Sequence, residues 1–397
     1  MRVLHWYPDF ADEGAIAKAV LGLTRAQLRL GVEVAIACAR NESDGPQANY
    51  RLPGVTYFPW EPEAQVSLGG IVARKPSRGA LSQLQNYRPD IVHIHGEFHP
   101  DNLFVPFVFD CPLVLSPRGA FHPVVFAKNR RLFKQLYFRL AKRVLYRRVG
   151  AFHALCPAEQ EYIRRRLPES KTYCVVQGPN VWVEEGIEAA APDAVAADTD
   201  VVPFFYTGRL DVFMKGLDLL LDGLAAAFPP AGSRRFLLTV AGGDFKGGRA
   251  VLERQVQRLG ITESVHFAGA LSGFDLGRLL ARGCVYLHLS RYDCLPSSLT
   301  EALLAGNPAI ASSAVGTASL PFFAGLPHTR IVKPCVEDAA KAISDFADCY
   351  AALRQTALAH RNEVRQFFSW ETSAEQQLQH YEHLCSRVST ARHTKAA

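Results

Sequence analysis

Twice along this chain, short apolar runs that read as strands alternate with stretches of helical periodicity. That alternation constrains the fold more than any other feature, because parallel strands joined through helices are the arrangement it permits. The first series opens with Arg2-Val-Leu-His-Trp6, a loop through Glu13 and Gly14, and a helix with Ile16, Val20 and Leu23 on one face. Gly31 ends that helix, and residues 32–38, 90–95, 112–116, 151–155 and 173–176 follow as strands. Residues 184–200 are acidic, small and aperiodic, as a linker would be. A second series then runs through 203–207, 236–242, 264–269, 284–289, 308–312 and 330–332. The stretch 368–384 reads as helical, with 394–397 a frayed end. The expected fold class is α/β, with two Rossmann-like doubly wound domains, 1–180 and 181–370, facing a central cleft. Ligands of such sheets bind off the carboxyl ends of the strands.

Composition removes several alternatives. A chain of 397 residues with 48% hydrophobic and 21% charged content is globular, and a net charge of +6 argues only weakly for anionic partners. No apolar run reaches the ~18–20 residues of a membrane span. His5, Pro8 and Asp9 spoil the N-terminus as a signal peptide. Nine cysteines without C-x-x-C spacing point to neither a disulfide framework nor a zinc site, so a reducing cytoplasm is the expected home.

Two charged elements stand off strand ends in the second half. In Tyr206-Thr-Gly-Arg-Leu-Asp-Val-Phe-Met-Lys-Gly216, Arg209 leaves one strand and Lys215 begins the next helix. A guanidinium fork and an ammonium point charge together suit a diphosphate. Later, Asp293 sits in a turn and Glu301 eight residues on in a helix, with Pro296 at the bend and Ser297 and Ser298 as candidate N-caps. Backbone N–H groups at such a helix start favour an anion, and the two carboxylates would grip hydroxyls on either side of it. The combination suits a nucleotide sugar.

These elements resemble those of the family 4, or group 1, retaining glycosyltransferases of the GT-B fold. Gly208-Arg-Leu210 with Lys215-Gly216 is similar to that family's G-R-L…K-G element, and Asp293 to Glu301 to its E-x7-E motif. Ala305-Gly-Asn-Pro-Ala-Ile310 is similar to the usual sequel, and Phe368-Ser-Trp370 to the crossover that returns the final helix, 371–397, to the N-terminal domain. The resemblance implies that Arg209 and Lys215 hold the donor diphosphate as the glycosidic bond breaks. It implies that Asp293 contacts sugar hydroxyls, that Cys294 and Leu295 offer backbone N–H groups to phosphate, that Glu301 binds the ribose diol, and that Gly14 lets its loop approach the donor. It further implies a front-face retaining reaction with a nucleotide-diphosphate sugar as co-substrate, no other cofactor, and no required metal. The expected acceptor is a hydroxyl of a saccharide or lipid-linked molecule in surface polysaccharide or glycoconjugate assembly. Asp293 in place of glutamate, Cys294 in place of glycine and Pro296, which has no N–H, depart from the pattern. The departures across Cys294-Leu-Pro296 keep a non-catalytic nucleotide-sugar-binding member open. A GT-B nucleotide-sugar epimerase is the other alternative. Ala241-Gly-Gly-Asp-Phe245 falls short of a dinucleotide fingerprint.

In the first half, His93, His95 and His99 with Glu97 invite a metal reading, but their spacing matches no metal motif, and a role lining the cleft or within the structure is preferred. His95 and Arg118 are the acceptor-side candidates; Arg118 pairs with an anionic acceptor or rests in a surface turn. Residues 126–149 read as one long helix with an apolar stripe of Phe133, Leu136, Tyr137, Leu140 and Val144, nine basic residues and no acid. A basic amphipathic helix suits an anionic membrane surface, which would make the protein peripheral on the inner face of the membrane. Nothing suggests a nucleic-acid partner.

Overall fold

A computed structural model describes residues 1–10, 14–39, 51–68, 71–127, 130–190, 201–228 and 235–396. The chain divides into two units, Met1–Gly178 with Ser369–Ala397, and Pro179–Phe368.

The first unit holds β1 (Arg2–Trp6), β2 (Glu33–Ala39), β3 (Thr56–Trp60), β4 (Pro62–Leu68), β5 (Ile71–Pro76), β6 (Ile91–His95), β7 (Leu113–Ser116), β8 (Val149–Ala154) and β9 (Thr172–Cys174). Seven of these form a parallel sheet in the order β3-β2-β1-β6-β7-β8-β9, and β4 and β5 make a separate antiparallel hairpin. The sequence reading had not identified β3 or the hairpin. Pro59 interrupts β3 and Pro62 and Pro76 bound the hairpin, and proline depresses a strand reading. The interiors of the central strands β2, β6 and β7 are buried on both faces, as a sheet covered by helices on each side requires.

The final helix, Trp370–Ala396, belongs to this first unit. Its Tyr381 and Leu384 pack with Val3, Ile91 and Val114 of the sheet. Trp370 lies so close to Gly22 that a Cβ there would meet its indole at 2.2 Å. The helix continues through Ala396 rather than fraying from 394; Ala397 lies outside the described residues.

The second unit holds β10 (Val201–Thr207), β11 (Arg235–Ala241), β12 (Val265–Gly269), β13 (Val285–His288), β14 (Ala309–Ser312) and β15 (Thr329–Val332), parallel in the order β12-β11-β10-β13-β14-β15. Its core joins Phe204, Leu238, Leu287 and Ile310 from the sheet with Leu220, Leu224, Ile343 and Phe346 from the covering helices. Residues 184–189, expected as linker, lie in the helix Val181–Ala189, capped by the Asn180 side chain; the rest of the expected linker, 191–200, lies outside the described residues.

In each sheet the strand order reverses beside the first strand, between β1 and β6 and between β10 and β13. Loops leaving such a pair of strands diverge to opposite sides, which opens a crevice at the carboxyl edge.

The expected helix over 126–149 is not continuous. It is two helices, Pro123–Ala127 and Arg131–Val144, with Lys128 outside the described residues and β8 beginning at Val149. The buried face of the longer helix is Tyr137 and Ala141, followed by Leu145, with Phe133 and Phe138 packed against the core. Leu136 and Leu140 are not on that face, contrary to the expected stripe. They and Leu132 form an i, i+4, i+8 row exposed by 76% (Leu132), 63% (Leu136) and 49% (Leu140).

Candidate active site

The loops after β10 and β13 leave the sheet on either side of the second unit's reversal point. The first carries Gly208, Arg209 and Lys215, and the second carries Asp293, Cys294 and Leu295. The Lys215 ammonium donates to the Asp293 carboxylate, an ion pair that joins the two loops. Burial alone would raise the Asp293 carboxyl, but Lys215 and then His288 more than offset it and hold it well below the usual carboxylate range.

The turn that places Lys215 is tight. The helix Leu217–Ala227 is capped by Gly216 at φ 61°, so Lys215 stands two residues before the helix rather than beginning it. A Cβ on Gly216 would lie 2.0 Å from the Leu289 carbonyl oxygen. Only glycine satisfies both the backbone angle and that approach.

Two groups that the sequence reading did not single out support this pair. Arg291 grips Asp218 with two bonds of 2.7 and 2.8 Å and donates to the Phe213 carbonyl at 2.8 Å, so it ties the Asp293 loop to the Lys215 loop. His288, buried at the end of β13, has Nε2 3.3 Å from Asp293 Oδ2 and 3.0 Å from Ser290 Oγ. Burial lowers its proton affinity against the pull of Asp293, so the ring is neutral and donates from Nε2. The adjacency of Arg291 to the turn and the polar His288 inside an apolar strand were the available signals.

Arg209 is exposed, with its guanidinium 5.1 Å over the Phe245 ring, and Lys246 lies 5.3 Å over the same ring. Gly208 precedes it at φ 149° and donates its N–H to the Ala241 carbonyl. Leu295 is buried and Cys294 half-buried in the turn ahead of the helix Ser297–Leu304. That helix is capped by Pro296 without a side-chain bond, so Ser297 and Ser298 are its first residues and not its caps. Glu301 is buried on it and accepts the Asn180 N–H at 3.3 Å.

In the first unit, Gly14 is the N-cap of the helix Ala15–Arg29, exposed and without a side-chain cap; Glu13 lies outside the described residues. His99 does not join His93 and His95. Its Nδ1 is 3.2 Å from Asp9, which also takes Arg74 at 2.6 Å. Burial would raise Asp9, but His99 and Arg74 hold it down at about 2. His5 is instead the third histidine, and the nitrogens of His5, His93 and His95 lie within 4.8 Å of one another. Glu97 is buried and accepts the Phe98 N–H at 3.3 Å, and burial pushes its carboxyl up to about 7. Arg118, at φ 53°, donates to His95 and to Gln177.

Two parallel-sheet α/β domains, each with its strand order reversing beside the first strand, define a GT-B fold. Residues 14–178 match the Glycosyl transferase 4-like domain and residues 191–380 match Glycosyl transferases group 1; the chain belongs to the group 1 glycosyltransferases. It is 25% identical over 240 residues to the phosphatidylinositol N-acetylglucosaminyltransferase gpi3 subunit of Schizosaccharomyces pombe, covering 59% of this chain and 49% of that one. It is 39% identical over 84 residues to the Vi polysaccharide biosynthesis protein VipC/TviE of Salmonella typhi, covering 21% and 14%. The chain thus spans half or less of the length of these curated relatives. Anabaena HepE, solved with UDP and glucose, superposes with a TM-score of 0.70 at 18% identity over 96% of this chain and 100% of that one, a likeness of fold.

Proposed function

We propose that this glycosyltransferase is a retaining hexosyltransferase that takes its sugar from a nucleotide-diphosphate sugar. The observation that carries the reading is the Lys215–Asp293 pair at the second unit's reversal point, with Arg209 on the same loop as Lys215. A departing nucleoside diphosphate gains negative charge as the bond to the sugar breaks, and fixed cations contribute most to charge that grows in the transition state. Lys215 and Arg209 supply that charge here, in place of a metal. Asp293 turns to sugar hydroxyls, Cys294 and Leu295 present backbone N–H groups to phosphate, and Glu301 takes the ribose diol. The acceptor oxygen bonds to the anomeric carbon on the face the diphosphate leaves, and its proton passes to the leaving phosphate oxygen.

The acceptor is a hydroxyl of a saccharide or lipid-linked molecule, met by Arg118 with the buried His95 behind it, in surface polysaccharide or glycoconjugate assembly, while the Gly14 loop approaches the donor. The names of the gpi3 subunit and VipC/TviE support that class of acceptor. No helix among the described residues is long and apolar enough to cross a membrane. The exposed row Leu132, Leu136 and Leu140, flanked by Arg131, Arg139, Lys142 and Arg143, supports contact with an anionic lipid surface from one side. The protein then works peripherally on the cytoplasmic face.

Nucleoside diphosphate release from a panel of UDP-, GDP- and ADP-hexoses, with the anomer of the product read by NMR, tests this. One donor class is consumed and its configuration kept. Inversion, or release from none of the panel, overturns the reading.

A further inference from the structure

We infer that His5 and Gln27, acting through His95, are positioning residues for the Arg118 guanidinium. The inference rests on the reading of Arg118 as an acceptor-side group, and its basis is the direction of a buried hydrogen-bond chain.

Arg118 follows β7 on a backbone at φ 53°, an uncommon conformation for a residue with a side chain. Its loop is fixed from behind, because the buried Glu159 carboxylate accepts the N–H of Gly119 at 2.5 Å and that of Leu155 at 2.8 Å. The guanidinium is fixed from the side. Nη1 donates to Gln177 Oε1 at 2.7 Å, and Nη2 lies 3.2 Å from His95 Nδ1.

A guanidinium only donates, so His95 Nδ1 must accept and the His95 proton must sit on Nε2. That nitrogen lies 2.9 Å from His5 Nδ1, which therefore accepts in turn. The His5 proton is then on its own Nε2, 2.8 Å from Gln27 Oε1, which can only accept. One obligate donor at one end and one obligate acceptor at the other set every bond between them. His5, His95 and Gln27 are wholly buried, so water offers no alternative partner. Burial keeps both rings neutral: it outweighs the bond to Gln27 and, with the Arg118 charge, lowers His5 to about 4, and with the neighbouring histidines and Arg118 it holds His95 well below its ordinary value.

The chain lies where the strand order reverses, His5 on β1 and His95 on β6. A metal held by His5, His93 and His95 is the competing account. Hydrogen bonds already occupy both nitrogens of each ring, those of His93 going to Tyr381 at 2.5 Å and Ser116 at 2.6 Å. The His93 and His95 rings also stack at 4.0 Å, which does not converge their lone pairs on one point.

The test is the tautomeric state of the histidines in the full chain labelled with 15N-histidine, read from two-bond proton–nitrogen correlations near pH 7. His5 and His95 are both neutral and protonated on Nε2. Arg118→Met combined with Gln27→Leu removes both fixed ends, so both rings lose the single-tautomer pattern while His153, tied to Ser116 and the Val175 carbonyl, keeps its own. Gln27→Leu disturbs His5 and also speeds phenylglyoxal modification of Arg118 severalfold, as mapped by mass spectrometry. A proton on Nδ1 of either ring, an imidazolium, stoichiometric metal in the purified protein, or unchanged Arg118 reactivity overturns the inference. The wild-type spectrum decides it even if a variant misfolds. The acceptor role of Arg118 fails separately, if Arg118→Ala leaves sugar transfer unchanged.

Discussion

Lys215 donates to Asp293 across 78 residues of chain, and the pair joins the two loops that part where the second sheet reverses its order. Both side chains are about a fifth exposed. Its worth therefore lies between an open surface pair and a dry one, roughly 1–3 kcal/mol. Lys215→Met loses that amount at pH 7 in a urea titration. Asp293 is held below its unfolded value, so its stabilisation is full above about pH 4 and is lost as pH falls further through the folded value. The deficit of the variant accordingly shrinks in acid. A deficit that stays constant down to pH 3 would mean that the pair is not what holds the loops.

His288 holds Asp293 from the buried side. On the proposed donor reading, in which Lys215 turns to the diphosphate, that bond keeps the carboxylate aimed. His288→Phe lowers the turnover number of the donor by about tenfold with little change in its KM, the loss expected of an interaction needed in the transition state. His288→Gln restores part of it. Because burial lowers the ring's proton affinity, a break in the wild-type rate from this histidine falls below the ordinary histidine value. Equal losses in both variants would contradict a role through the Nε2–H.

Glu97 carries the opposite sign. Burial holds its proton up to about 7, against an ordinary value of 4.5. It costs nothing in acid, where both states are protonated. The cost grows as pH rises from about 4.5, where the unfolded chain releases the proton, and levels off above about 7 at roughly 3 kcal/mol. Glu97→Gln removes that slope. Urea titrations at pH 5 and pH 8 measure it, and the same pH dependence in both proteins would contradict it.

Leu132, Leu136 and Leu140 face outward among basic side chains. Wild-type protein sediments with vesicles containing phosphatidylglycerol and less so with neutral ones, while the triple Leu→Ser variant stays in solution. Insensitivity to anionic lipid would remove the membrane contact.

Much of this was written into the sequence. Apolar runs such as Val240 beside Ala241 and Leu287 beside His288 mark buried parallel strands, and the Lys215-Gly216 and Asp293–Glu301 elements mark the loops after β10 and β13. The hairpin Pro62–Leu68 with Ile71–Pro76 was not legible, because proline at its ends masks the alternation. The outward turn of Leu136 and Leu140 was hidden by a helical period that two faces satisfy, one through Tyr137 and Ala141 and one through the leucines. His5 reads as a stray polar residue until β1 and β6 pair and set it against His95. Register across strands distant in sequence has no local signature.

The most direct measurement is calorimetric titration of the intact chain with UDP, GDP and ADP, repeated on Lys215→Ala and Glu301→Ala. One nucleoside diphosphate binds the wild type, Lys215→Ala loses most of the affinity through the diphosphate, and Glu301→Ala loses it through the ribose. Equal affinity in all three proteins, or no binding of any nucleotide by the wild type, would contradict a donor site built on Lys215 and Asp293.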